Sequence, residues 1–132
     1  MPRFVVPVQQ RPGRDGTTPT SRHVPFYLAI EAASDVWQLA LQQYCVPEIV
    51  PMDLAMVHVS SDFRRELFTG ELTVDVEVRR IGTTSFTVGL ALEQDDDDAG
   101  ECEFVFALVD ASRTAAIAIS PAQRAVLEKM TR

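Results

Sequence analysis

The chain has little of what metal centres, disulfide frameworks and nucleic-acid binders are built from. It carries two cysteines, Cys45 and Cys102. Neither sits in a Cys-x-x-Cys pair or beside two histidines, which argues against a structural zinc site and predicts two buried free thiols. The two histidines, His23 and His58, stand far apart and form no metal motif, so no metal is expected. Basic residues are also few: 12 lysines and arginines stand against 19 acids, for a formal net charge of −7. That balance argues against nucleic acid as a partner, because such binders need a basic face. No apolar run approaches the roughly 20 residues that span a bilayer. The opening "MPRFVVPVQQRPGRDG" lacks the apolar stretch of a signal peptide, so a cytoplasmic protein without a membrane partner is expected.

What is present is enough for one core. A length of 132 residues suits a single domain spanning 1–132, and 46% hydrophobic residues mark a folded globular chain. The acid is concentrated. Glu93, Asp95 to Asp98, Glu101 and Glu103 crowd one short stretch, and "DDDDAG" reads as a solvated turn between strands. Its spacing matches no calcium loop with alternating ligands.

Period divides the chain. "RFVVPVQQ", Arg3 to Gln10, reads as a first strand, and "RPGRDGTTPTSR" as a loop rich in Gly, Pro and Thr. From Pro25 the apolar residues Phe26, Ile30, Ala33, Trp37, Leu41 and Tyr44 recur at spacings of three and four, the buried face of a helix. Thr20 or Ser21 is the expected cap, with Pro25 in the first turn. Leu28, Ala29, Ala32, Val36 and Leu39 make this helix apolar around most of its girth, so something must wrap it. "VPEIVPMD" ends it with two prolines. Then come "DLAMVHVSSDF", "ELTVDVEVRR", "SFTVGLALEQ" and "ECEFVFALVDA", most of them alternating in polarity. "TAAIAIS" reads as a last short strand, and "PAQRAVLEKM" as a helix capped by Ser120 with Pro121 in its first turn. The class is α+β, with an antiparallel sheet curled around one long helix. Trp37, Phe104 and Phe106 read as core, and His58 as a structural mid-strand residue. Val105, Ala107 and Val109 form a second apolar face that suggests burial against a partner copy.

Three stretches in this order resemble the hotdog fold, and within it the 4-hydroxybenzoyl-CoA thioesterase-like acyl-CoA thioesterases. "IEAASDVW" is similar to the family's central helix. "DFRRELFTGELTVDVEVRRIGTTSFTV" is similar to its hairpin, and "ISPAQRAVL" to its ending. The resemblance implies hydrolysis of a thioester to a carboxylic acid and free CoA, with coenzyme A as part of the substrate and no further cofactor. It also implies a homodimer whose edge strands pair into one sheet, or a homotetramer. The alternative is a non-catalytic protein of this fold that holds an acyl-CoA or acyl-carrier-protein thioester. A dehydratase of the same fold would need a His with an acidic partner in a different helix motif, which is not present.

Before the helix the family shows Asp-x-Asp-x-x-Gly-His-Val, where this chain has "RDGTTPTSRHV". Counting back from Glu31, the family's aspartate falls at Gly16, one residue after Asp15, and its Gly-His falls on Pro19-Thr20. The resemblance therefore implies Asp15 as the catalytic carboxylate, with His23 nearby and Glu31 on the helix as a second candidate. The chemistry is coherent: a carboxylate activates water or attacks the carbonyl, while N–H groups at a helix start polarise its oxygen. Those N–H groups are expected around Arg22 to Val24. Coenzyme A also needs cations or free N–H groups for its phosphates. The turn after "EVRR" supplies candidates in Arg80, Thr83, Thr84 and Ser85, with Arg64 and Arg65 as further positive charge. Strand alternation sends Arg79 and Arg80 to opposite faces and keeps Arg80 on the face of Val78. Equally, arginines at strand ends pair with acids such as Asp75 and Glu77 and keep a sheet soluble.

Overall fold

A computed structural model describes residues 2–132. The elements run β1 (Arg3–Val8), α1 (Phe26–Tyr44), a 3-10 turn at Pro51–Asp53, β2 (Leu54–Phe63), β3 (Gly70–Ile81), β4 (Ser85–Gln94), β5 (Asp97–Leu108) and α2 (Pro121–Glu128). The five strands form one sheet in the order β1-β3-β4-β5-β2, antiparallel at each pairing. This is the α+β hotdog arrangement, with a sheet laid against one long helix. No helix among the described residues is long and apolar enough to cross a membrane.

The strict alternation of β3 sends Leu72, Val74, Val76 and Val78 to the helix side, where each is buried. Phe86, Val88, Leu90 and Leu92 of β4 and Cys102, Phe104, Phe106 and Leu108 of β5 share that face. Against it lies the buried stripe of α1: Ala29, Ala32, Ala33, Val36, Trp37, Ala40 and Leu41. This stripe is rotated from the expected one. Phe26 is 65% exposed and Leu39 48% exposed. Four small alanines face the sheet instead, which lets a helix about 28 Å long settle close onto it. Trp37 fills the middle, with ring centroids 5.4 Å from Phe106 and 5.8 Å from Phe86. Cys45 and Cys102 are free and buried. Burial pushes the Cys45 thiol up to about 11 and the Cys102 thiol upward, so both are poor nucleophiles.

Several local expectations are corrected. Neither Thr20 nor Ser21 caps α1. Pro25 holds the cap position and offers no side-chain bond, because the chain enters the helix extended from a pairing with the β2–β3 loop. "DDDDAG" is only half a turn: Asp95 and Asp96 take positive φ values of 54° and 63°, the geometry of a two-residue hairpin, while Asp97 and Asp98 already belong to β5. "TAAIAIS" forms no strand; it is tied to the end of β5 by an isolated bridge, Val109 to Ala116, and by the Ile117 amide donating to the Leu108 carbonyl at 2.9 Å. His58 is exposed on the edge strand β2 rather than packed among apolar neighbours. The C-terminal helix begins as expected, with Ser120 and Gln123 bonding each other's backbone N–H groups.

Two bulges matter for the site. In β3 the register jumps from Val78 opposite Val88 to Arg80 opposite Thr87, so Arg79 is the extra residue. The inserted residue flips the alternation, and Arg80 faces away from Val78 and the helix. In β2 the jump lies between Met56 and His58, which leaves Val57 as the extra residue on an edge. That edge is apolar and uncovered, with Met56, Val57, Val59 and Phe63 all exposed.

Candidate active site

The start of α1 is tied to the β2–β3 loop by backbone bonds. The Val24 amide donates to the Leu67 carbonyl at 2.8 Å, and the Thr69 amide donates to the Arg22 carbonyl at 2.8 Å. Between them His23 and Phe68 form a bridge, and their ring centroids lie 4.8 Å apart with the planes tilted by 54°. The Gln10 side chain donates to the His23 carbonyl at 2.6 Å. A buried glutamine secures the other side. Gln94, 4% exposed, accepts from the Phe68 amide at 2.9 Å and donates to the carbonyls of Phe68 at 2.8 Å and Glu71 at 3.2 Å.

Gln94→Leu is therefore expected to lower stability by about 1–2 kcal/mol, because it strips partners from backbone groups that are partly shielded from water. Urea unfolding with an unchanged m-value is the check. An unchanged midpoint would show that the loop holds its place without the glutamine.

A cavity of about 340 Å³ opens where this loop meets the helix. Val24, Phe26, Ala29, Phe63 and Leu67 give it an apolar lining, and the Arg64–Glu66 stretch is its polar wall. The Leu28 amide bonds the Pro25 carbonyl at 3.0 Å, but the amides of Phe26 and Tyr27 come before any helical carbonyl they could bond, and with the positive end of the helix dipole they favour a negative oxygen. No acidic residue of the first turn of α1 neutralises that end. An apolar pocket beside unspent N–H groups can bind a thioester and stabilise the oxyanion formed when its carbonyl is attacked.

The residues singled out from sequence fall in separate places. Asp15 lies in an exposed turn and accepts from the Thr17 amide at 3.0 Å and the Thr17 hydroxyl at 2.8 Å. Those two bonds hold its carboxyl below the usual range, which makes it a weaker base. Glu31 pairs with Arg11 in a different groove of about 180 Å³, between α1 and the segment after β1. His23 is next to the cavity residue Val24. Its Nδ1 lies 2.8 Å from Oε2 of Glu66, a cavity residue that sequence reasoning did not single out. No periodicity links residues so distant in the chain; only the bridge between His23 and Phe68 brings them together.

The arginines are divided as well. Arg64 pairs with Asp98 at 3.1 Å and Arg65 with Asp97 at 2.9 Å, so the acidic run neutralises the cations beside the cavity. Arg79 lies across Gly89 on the outer face and pairs with Glu101 at 3.0 Å and Glu103 at 3.1 Å. Arg80 is exposed in the β3–β4 hairpin. There the C-terminal region takes up backbone carbonyls: Ile119 donates to Thr83 at 2.8 Å and Arg124 to Gly82 at 2.8 Å. Within one protomer this hairpin is the far end of β3 from Gly70, where the strand begins beside the cavity loop, roughly 36 Å away at the usual strand rise.

The chain belongs to the thioesterase superfamily, whose family model matches residues 26–101, more than half of its length. The match takes in α1, the cavity loop and most of the sheet. No curated protein matches the chain in sequence. Solved structures match its fold over almost all its length. A predicted thioesterase from Bacillus stearothermophilus shares 15% identity at a TM-score of 0.77, covering 99% of this chain and 98% of that one. A 1,4-dihydroxy-2-naphthoyl-CoA thioesterase from Synechocystis shares 13% at 0.74, covering 98% of each. A Staphylococcus aureus protein solved in complex with CoA shares 13% at 0.76, covering 98% of this chain and 85% of that one.

Proposed function

We propose that the protein is an acyl-CoA thioesterase, hydrolysing its substrate to a carboxylic acid and free CoA at the cavity beside the start of α1. The observation that carries this reading is the combination found there: an apolar cavity, an unneutralised helix start and a carboxylate–imidazole pair. The acyl group occupies the apolar lining. The carbonyl oxygen faces the first amides of α1, and water attacks from the side of His23 and Glu66.

Coenzyme A then extends away from the cavity, and a second copy of the chain supplies the other wall. The edge strand β2 exposes four apolar side chains, and exposed edges of this kind are normally covered. Antiparallel pairing of β2 with its copy about a two-fold axis sets Phe63 of one protomer near the partner's start of β2. That end of the partner's sheet also carries its β3–β4 hairpin, since Leu108 pairs with Leu54 and Ala107 with Ser85. The hairpin with Arg80, Thr83, Thr84 and Ser85 is thereby brought toward the cavity across the dimer, as the nucleotide side of one site. A homodimer is the minimal active form, and a tetramer would stack two such dimers.

Thiol release from a panel of aliphatic and aromatic acyl-CoAs tests this, alongside acyl-pantetheine thioesters that lack the nucleotide. Turnover of at least one acyl-CoA is expected, with KM at least tenfold higher for its pantetheine counterpart. The binding-protein reading is favoured by one observation: Asp15, one residue before the position at which the family's aspartate falls, is engaged by Thr17. Under that reading CoA esters bind and no thiol is released. In the same assay, Asp15→Asn losing more than a hundredfold in kcat would assign the chemistry to the loop carboxylate.

A further inference from the structure

We propose that Glu66 is a positioning residue for His23, and that the Nε2 atom of His23 is the base that activates water in this site. The proposal rests on the thioesterase reading above and adds a residue and a role to it.

An exposed ion pair by itself means little, and this one is more than half exposed on both sides. What distinguishes it is how far His23 is fixed independently of that pair. Its backbone is bridged to Phe68, its carbonyl is held by Gln10, its amide is bonded by the Ser21 hydroxyl at 3.1 Å, and its ring rests on Phe68. Phe68 is in turn clamped by the buried Gln94. The backbone that carries the imidazole is thus held at several points, and Glu66 bonds one ring nitrogen. A carboxylate at Nδ1 selects the tautomer that carries its proton there and leaves Nε2 as the acceptor. The other charged groups around the ring are few. Arg22, next to it in the chain, lies over Phe68 at 5.9 Å, and Arg64 and Arg65 are turned to Asp98 and Asp97.

The chemistry balances without a cofactor. Nε2 takes a proton from water as the water oxygen bonds to the thioester carbon. The carbonyl pair moves onto oxygen, facing the first amides of α1. When that pair returns, the C–S bond breaks and the proton passes from Nε2 to the departing thiolate. One water and one thioester give one carboxylic acid and one thiol.

Two measurements on the full-length protein test the assignment. The first is the ¹⁵N chemical shifts of the neutral His23 ring, which need no substrate. Wild type is expected to show the Nδ1–H tautomer, and Glu66→Ala the Nε2–H form preferred by free imidazole. The same tautomer in both proteins would overturn the positioning role. The second is kcat against pH for an acyl-CoA that the wild type turns over. A fall in kcat toward acid is expected, because an Nε2 that already carries a proton cannot take one from water. His23→Asn is expected to lose at least a hundredfold in kcat together with that pH dependence. Glu66→Ala loses about tenfold and Glu66→Asp recovers part of it, with KM nearly constant. Full activity in His23→Asn, or a rate lost only in Asp15→Asn, overturns the proposal while leaving the thioesterase reading intact. Absence of turnover in wild type overturns both the base and that reading, and the ring tautomer still decides whether Glu66 positions His23.

Discussion

Trp37→Ala is expected to cost about 3–5 kcal/mol, more than any other single truncation in the core. Trp37 is fully buried, and its ring packs between Phe86 of β4 and Phe106 of β5. The alanines around it on α1 cannot reach into the space it leaves, so the cavity stays open. For a chain of this size the melting temperature should fall by roughly 10–20 °C. A second variant separates volume from polarity. The Trp37 indole N–H is buried and has no acceptor among the described residues. Trp37→Phe removes that orphan donor along with part of the ring, so the two effects oppose each other. It is expected to cost no more than about 1.5 kcal/mol. A Phe variant as unstable as the Ala variant would show that the indole N–H is satisfied in solution.

Gly100→Ala is the second large effect. Gly100 opens the inward turn of β5 opposite Phe63, with φ at +137°, a region that side chains rarely adopt. A methyl group there would run into the carbonyl oxygen of Asp62 and come within 3.0 Å of the Phe63 Cα. Both are backbone atoms of the paired strand, and neither can swing aside as a side chain would. Strain and overlap together are expected to cost about 3 kcal/mol or more. The functional effect should exceed the global one, because Phe63 lines the cavity and Arg64 bonds its amide to the Ala99 carbonyl at 3.0 Å. Hydrogen exchange of the Arg64 amide is the check: it should quicken more than exchange of Val76 or Leu90. Equal acceleration across the sheet would contradict the local account.

Much of this architecture was legible because side-chain period reports burial directly. The alternation of Leu72 to Val78 and Phe86 to Leu92 set both faces of the central hairpin, and the three-and-four spacing through Trp37 set the helix. The reading failed where a single residue changes the count. Arg79 bulges out and turns Arg80 to the opposite face, and nothing in "EVRRIG" distinguishes a bulge from a continuing strand. The start of α1 was misjudged for a related reason. Thr20 and Ser21 are good caps by residue type, yet the pairing of His23 with Phe68 keeps the chain extended as far as Pro25. Propensity yielded there to a long-range contact.

The candidate site residues were legible only as residue types. His23 was named for its place before the helix, and it is next in the chain to the cavity residue Val24. Glu66 was invisible because its significance comes from a neighbour brought in by tertiary pairing. Asp15 and Glu31 were named on resemblance, and each is engaged by a residue of its own surroundings, Thr17 and Arg11. Arg80, Thr83, Thr84 and Ser85 were placed beside the site by the family's hairpin. In this chain they stand at the opposite end of the sheet from the cavity loop.

The location of the site is tested most directly by amide chemical shifts on adding a thioether analogue of an acyl-CoA that cannot be hydrolysed. The largest changes are predicted at Val24, Phe26, Ala29 and Phe63 to Leu67, with a second set at Arg80 to Ser85 from the partner hairpin. Changes confined to Pro7 to Arg11 and Glu31 to Asp35, the groove on the other side of α1, would contradict the account.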